Sequence, residues 1–157
     1  MIIKTFEINK KKFDKENFFL IYGENEGHKN EIIKFLEKNF NRNIEKFDEA
    51  QILSNNELFY EKIFNQSLFE KEKIVIINRC SDKICEIIEN IIEKKYGDIK
   101  VILNANVLEK KSKLRNLFEK RRELVIVPTY KDSSITLVDI AKKFFNNYKI
   151  SISQETI

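Results

Sequence analysis

The chain predicts an α/β fold: a parallel sheet with helices on both faces. Two observations carry this. Short apolar runs free of charge, such as Phe18-Phe19-Leu20-Ile21-Tyr22 and Ile74-Val75-Ile76-Ile77, have the composition of strands buried on both sides. Segments with helical spacing separate them, and strands joined through helical crossovers run parallel.

Taken in order, the run at 18–22 stops at Gly23 and is the first strand. From about 29 to 40, Ile32, Ile33, Leu36 and Phe40 fall on one helical face. A weaker strand is predicted at 44–47. Ser54-Asn55-Asn56-Glu57 has the form of a capping box and opens a helix containing Leu58, Phe59, Ile63 and Phe64. The strand at 73–77 follows. Ile84, Ile87, Ile88, Ile91 and Ile92 then mark an amphipathic helix over 82–95, with Gly97 as its terminator. Val101-Ile102-Leu103 is a strand, Leu114, Leu117 and Phe118 belong to a helix, and Leu124-Val125-Ile126-Val127 is the last strand, ended by Pro128.

Past Pro128 the texture changes. Lys131-Asp132-Ser133-Ser134 is a polar break, and a helix carrying Leu137, Val138, Ala141, Phe144, Phe145 and Tyr148 comes after it. Ser151-Ile152-Ser153-Gln154 has the look of a further capped helix. The expected division is an α/β domain over 1–129 and the beginning of a helical second domain over 130–157, as in a fragment of a longer product.

Composition narrows the function. The 157 residues are 42% hydrophobic and 34% charged, with 3 Gly and 1 Pro, which excludes collagen-like, Pro-rich and disordered classes. The net charge of +4 does not by itself announce a nucleic-acid binder. No run approaches the length of a membrane span and no signal peptide is visible, so a cytoplasmic protein is expected. Cys80 and Cys85 lack the partners of a metal site, and the single histidine, His28, is far from them in sequence.

A phosphate-binding loop would sit between the first strand and its helix. Here that junction reads Gly23-Glu24-Asn25-Glu26-Gly27-His28-Lys29-Asn30. Three residues, not four, separate the glycines, His28 intrudes, and Asn30 stands where a metal-binding hydroxyl belongs. Glu24 and Glu26 would repel a triphosphate by about 4 kcal/mol per close contact. The strand at 74–77 ends in Asn78-Arg79-Cys80 rather than in acids, and Asn104 after the third buried strand reads as a turn residue. A strand-to-helix turn is preferred to a nucleotide site, and no nucleophile–base pair stands out. The basic cluster from Lys110 to Arg122 could face nucleic acid, with an ordinary helix surface as the plainer reading.

One segment resists a plain reading. Gln66-Ser67-Leu68-Phe69 precedes Glu70-Lys71-Glu72-Lys73. Adjacent Leu and Phe are hard to send into one core from a regular element. They either tuck under the sheet edge or, exposed together, form an apolar plug in which each side chain gains roughly 1.5–3 kcal/mol on burial in a partner.

These residues together resemble a known family. Phe19-Leu20-Ile21-Tyr22-Gly23-Glu24-Asn25-Glu26, Ser67-Leu68-Phe69 followed by Lys73-Ile74-Val75-Ile76-Ile77, Lys100-Val101-Ile102-Leu103 with Leu108, Lys111, Ser112 and Leu114, and Tyr130 with the helix after it are similar to the delta subunit of the bacterial DNA polymerase III clamp loader. The resemblance covers essentially the whole chain. It implies a divergent AAA+ (RecA-like) module without nucleotide binding, cofactor, metal or intrinsic activity, working as part of a DNA polymerase holoenzyme. It implies that Leu68 and Phe69, led in by Gln66 and Ser67, bind the sliding clamp (the beta subunit) and favour its open ring. Other clamp-loader subunits would be partners, with DNA reached through the complex and no membrane. The alternatives are a P-loop-type nucleotide-binding enzyme with a degenerate loop, and an unrelated α/β interaction domain.

Overall fold

The computed structural model describes residues 1–40, 43–64, 73–94, 99–151 and 153. It contains a five-stranded sheet made of β1 (Phe18–Gly23), β2 (Asn43–Asp48), β3 (Lys73–Cys80), β4 (Ile99–Ala105) and β5 (Val125–Thr129), in the order β2-β3-β4-β1-β5. Every strand pairing is parallel; Leu20 of β1 lies opposite Leu103 of β4 on one side and Ile126 of β5 on the other. The helices are α1 (Glu26–Phe40), α2 (Glu49–Ser54), α3 (Asn56–Phe64), α4 (Cys85–Glu93), α5 (Lys113–Lys120) and α6 (Ser134–Asn147).

Strand alternation sorts the core into two layers. Ile74, Ile76 and Ile102 face α1, where Ile32, Ile33 and Leu36 meet Ile3, Ile8 and Phe13 of the amino-terminal segment. Val75, Ile77, Val101 and Leu103 face the opposite layer, built by Phe59 and Ile63 of α3, Ile87, Ile88 and Ile91 of α4, and Leu114 and Phe118 of α5. The handedness rule gives the reason: the chain moves one way across the sheet from β1 to β2 and the other way from β2 onward.

The helix starts differ from the sequence reading in three places. The capping box expected at Ser54–Glu57 does not form. Ser54 ends α2, an element the sequence did not reveal, and donates its hydroxyl to the Gln51 carbonyl at 2.8 Å. Asn55 instead accepts the Leu58 N–H at 3.0 Å and caps α3. The helix expected from 82 is a 3-10 turn over Asp82–Ile84 followed by α4, and its expected terminator Gly97 lies outside the described residues. Finally, α1 begins at Glu26, a turn earlier than about 29.

Asp82 serves a neighbouring helix as well. Its carboxylate accepts the Ser112 hydroxyl at 2.5 Å and the Leu114 N–H at 3.0 Å, while Ser112 caps α5 by accepting the Arg115 N–H at 3.2 Å. Desolvation pushes the Asp82 carboxyl up, but these hydrogen bonds outweigh it and hold the group below its ordinary 3.8. A depressed carboxyl contributes stability above its unfolded value and loses it as acid titrates the folded form. Asp82→Asn is therefore expected to melt earlier than the parent above pH ~5, with the gap closing below about 3.8. A gap that stays constant down to pH ~2 in thermal melts would show that the carboxylate is not what anchors α5.

Among the described residues, no helix is long and apolar enough to cross a membrane. None of the α6 residues is buried. Leu137, Phe144 and Tyr148, expected on its apolar side, are exposed.

Candidate functional site

In a doubly wound sheet, ligands bind outside the carboxyl ends of the strands, where neighbouring crossovers leave on opposite faces. That point falls between β1, which feeds α1, and β4, which feeds α5. The turn from Gly23 to Asn30 is located there.

Gly23 makes the turn at φ +136°, a left-handed conformation open to glycine. A Cβ on it would stand 1.9 Å from the Thr129 carbonyl oxygen. Its N–H donates to the Asn106 carbonyl at 3.3 Å, and the next N–H, of Glu24, to the Thr129 carbonyl at 3.2 Å. Asn25 caps α1 by accepting the His28 N–H on its side chain at 3.0 Å. The Glu26 N–H donates to the Glu24 carbonyl at 3.1 Å, and the Lys29 N–H to the Asn25 carbonyl at 3.0 Å. A phosphate cradle works by aiming such donors outward. Here the donors on residues 23, 24, 26, 28 and 29 all point at acceptors of the chain itself.

Lys29 is the residue that the sequence reading passed over. It is the sixth residue after Gly23, where the lysine of a phosphate loop stands. Its side chain is 1% exposed. The ammonium donates to the Ala105 carbonyl of β4 at 3.0 Å and pairs with Glu26 at 2.7 Å. The crevice between β1 and β4 is thus bridged by this lysine and by the Gly23–Asn106 bond. The signal is present in the sequence: the stripe of Ile32, Ile33 and Leu36, extended back one turn, lands on position 29.

The same turn holds the connector that leads to α6. Asn25 donates through its side chain to the Asp132 carboxylate at 2.7 Å and to the Tyr130 carbonyl at 3.2 Å. Lys131 pairs with Glu24 at 2.8 Å, and His28 lies 3.8 Å from Asp132. A cavity of about 460 Å³ beside this junction is lined by His28 and Asp132 with Ile8, Ile32, Phe35 and Ile140.

On the neighbouring strand ends, Asn104 donates to the Asn78 side chain at 3.2 Å, and its own carboxamide oxygen is buried with no partner among the described residues. Arg79 adopts φ 57° and pairs with Asp48 of β2 at 2.6 Å. Burial pushes the thiols of Cys80 and Cys85 up, away from the reactive thiolate. Among the described residues no group of three His, Cys, Asp or Glu is placed to hold a metal ion.

The expected clamp-binding residues Gln66, Ser67, Leu68 and Phe69 lie outside the described residues. Their flanks are described. Phe64 ends α3 with its ring stacked on Tyr60 at 5.6 Å, and Lys94 lies over both rings. Lys73 opens β3 with its ammonium on the Lys62 carbonyl at 2.7 Å and on Glu45 at 2.6 Å. Lys73 thus marks the amino-terminal end of a strand, whereas the Gly23 turn lies at the carboxyl ends. Of the other residues carrying the family resemblance, Lys100 is buried and donates to the carbonyls of Phe13 at 3.1 Å and Glu16 at 2.7 Å, tying down the segment before β1. Ser112 is a helix cap, and Tyr130 is exposed.

No family model matches the chain, and no curated protein matches it in sequence.

Proposed function

We propose that the chain is a non-catalytic clamp-loader subunit resembling the delta subunit, a divergent AAA+ (RecA-like) module that binds a sliding clamp and favours its open ring. What supports the reading is one combination: a parallel sheet in the order β2-β3-β4-β1-β5, consistent with a RecA-like fold, whose phosphate-loop position is filled by the chain's own Lys29, Glu26 and Asn25. A module of this kind keeps the scaffold of a nucleotide motor while the N–H donors of residues 23, 24, 26, 28 and 29 are spent internally. It can act through binding alone.

On this reading Leu68 and Phe69 fill an apolar pocket on the clamp, with Gln66 and Ser67 leading in. Ring opening follows only if the docked form favours the open interface over the closed one. The remaining clamp-loader subunits supply ATP turnover, and DNA is engaged through the assembly.

The test is surface plasmon resonance against the cognate sliding clamp. Leu68→Ala with Phe69→Ala is expected to weaken binding by about 100-fold or more, the loss of two anchors worth roughly 1.5–3 kcal/mol each, with the melting temperature almost unchanged. A large drop in melting temperature would place the pair in the core and end the proposal. So would magnesium-dependent, micromolar binding of an ATP analogue, the property of a nucleotide enzyme. Retained fold with no binding of the parent chain to the clamp would favour the third reading, an unrelated interaction domain.

A further inference from the structure

α6 is held differently from the other helices. None of its residues is buried, and among the described residues no hydrogen bond, ion pair or ring contact joins Ser134–Asn147 to a strand or to another helix. An isolated helix of 14 residues is marginal in water. What fixes this one is its amino end. Ser133 caps it by accepting the Thr136 N–H at 3.2 Å, and the residue directly before that cap is Asp132.

Asp132 is seated at the amino end of α1, with its side chain 18% exposed. One carboxylate oxygen accepts a side-chain N–H of Asn25 at 2.7 Å, and the other lies 3.8 Å from Nε2 of His28. The dipole of α1 favours a negative group at this position. Asn25 therefore has two duties. Its oxygen caps α1 on the His28 N–H, and its nitrogen holds Asp132 and the Tyr130 carbonyl. Further along, the two helices stand apart: Ile140 and Lys143 of α6 and Ile32 and Phe35 of α1 line the cavity of about 460 Å³ between them.

We propose that Asn25 and Asp132 form a latch. Closed, it holds α6 over the cavity; open, it releases α6 from the α/β layers while β1 and α1 keep their structure. The two states are close in free energy, because opening breaks polar contacts and no packed apolar surface of α6. The neighbouring Lys131–Glu24 pair is exposed on both sides and adds little. Release also frees Ser133 from its fixed place beside Asp132, so the cap that starts α6 is weakened with the latch. The device belongs to the chain alone and stands whether or not a clamp is the partner.

The test is hydrogen–deuterium exchange on the full chain, read by mass spectrometry over 134–147 and, as the reference, over 18–40. Asn25→Asp keeps an oxygen to cap α1 but sets a second carboxylate against Asp132. It is expected to speed exchange over 134–147 by about tenfold or more and to leave 18–40 within about twofold. Adding Asp132→Asn to it restores a donor–acceptor pair with the roles exchanged, and exchange over 134–147 should return to within about threefold of the parent. A double variant as fast as Asn25→Asp would show that the two side chains do not act on each other and would overturn the proposal. Should Asn25→Asp melt early, Asp132→Ala decides, since it leaves the α1 cap untouched. Its expected result is an acceleration of about fivefold or more confined to 134–147. No acceleration there, or an equal one over 18–40, would overturn the latch.

Discussion

Gly23→Ala is expected to destabilise the protein by about 4 kcal/mol, in the range reserved for steric conflict at a special backbone conformation. Two effects combine. The residue sits at φ +136°, and a methyl group there would meet the Thr129 carbonyl oxygen at 1.9 Å and its hydroxyl at 2.6 Å. Neither can retreat cheaply: the carbonyl accepts the Glu24 N–H, and the Thr129 hydroxyl donates to the Tyr22 carbonyl at 3.1 Å. The cost is a large part of the roughly 5–15 kcal/mol that holds an ordinary domain together. Urea unfolding should show the midpoint falling by about 2 M with an unchanged slope. A loss below about 1 kcal/mol would mean that β1 and β5 separate more easily than their shared turn indicates.

Lys29→Ala is expected to cost about 3 kcal/mol, far more than substitution of a solvated lysine. The truncation opens a cavity under α1 and strands the Ala105 carbonyl, and the two penalties add. Lys29→Met should recover about half, because it refills the volume without restoring the donor. This pair separates two roles for the residue. A lysine kept for a phosphate ligand is dispensable for folding, and its removal shows only when nucleotide is present. Thermal melts of the parent and both variants, with and without magnesium ATP, read the difference. Equal melting temperatures without ATP would show that Lys29 does not brace the crevice.

Most of the architecture is legible in the residues because it rests on burial. The continuous apolar runs of β1, β3 and β4 are those of buried strands, and the spacing of Ile87, Ile88, Ile91 and Ile92 in α4 is that of a half-buried helix. Legibility fails where polar groups set the local geometry. At Ser54–Glu57 two cap-forming residues stand side by side, and pattern alone cannot tell which of Ser54 and Asn55 accepts the N–H; the answer depends on α2, a helix of six residues too short to display a period. The start of α1 is hidden because Lys29 has the chemistry of a polar face and the position of the buried stripe. The departure of the Gly23–Asn30 turn from a phosphate loop is readable from its spacing and its two glutamates. The partners that fill the loop are not, because Ala105, Tyr130 and Asp132 are brought to it from 76 to 107 positions away.

The two borders of the sheet are unlike. Along β5, the Met1 ammonium donates to the Leu124 carbonyl, the Ile3 N–H to Ile126 at 2.9 Å and the Ile126 N–H to Met1 at 3.0 Å. Pro128, the next residue facing the same way, has no N–H to offer. Along β2, no described strand lies outside Asn43–Asp48. Edge-to-edge association through β2 would use up the one border that the described residues leave open and stop at a closed pair, whereas a fibre requires two free borders on every copy.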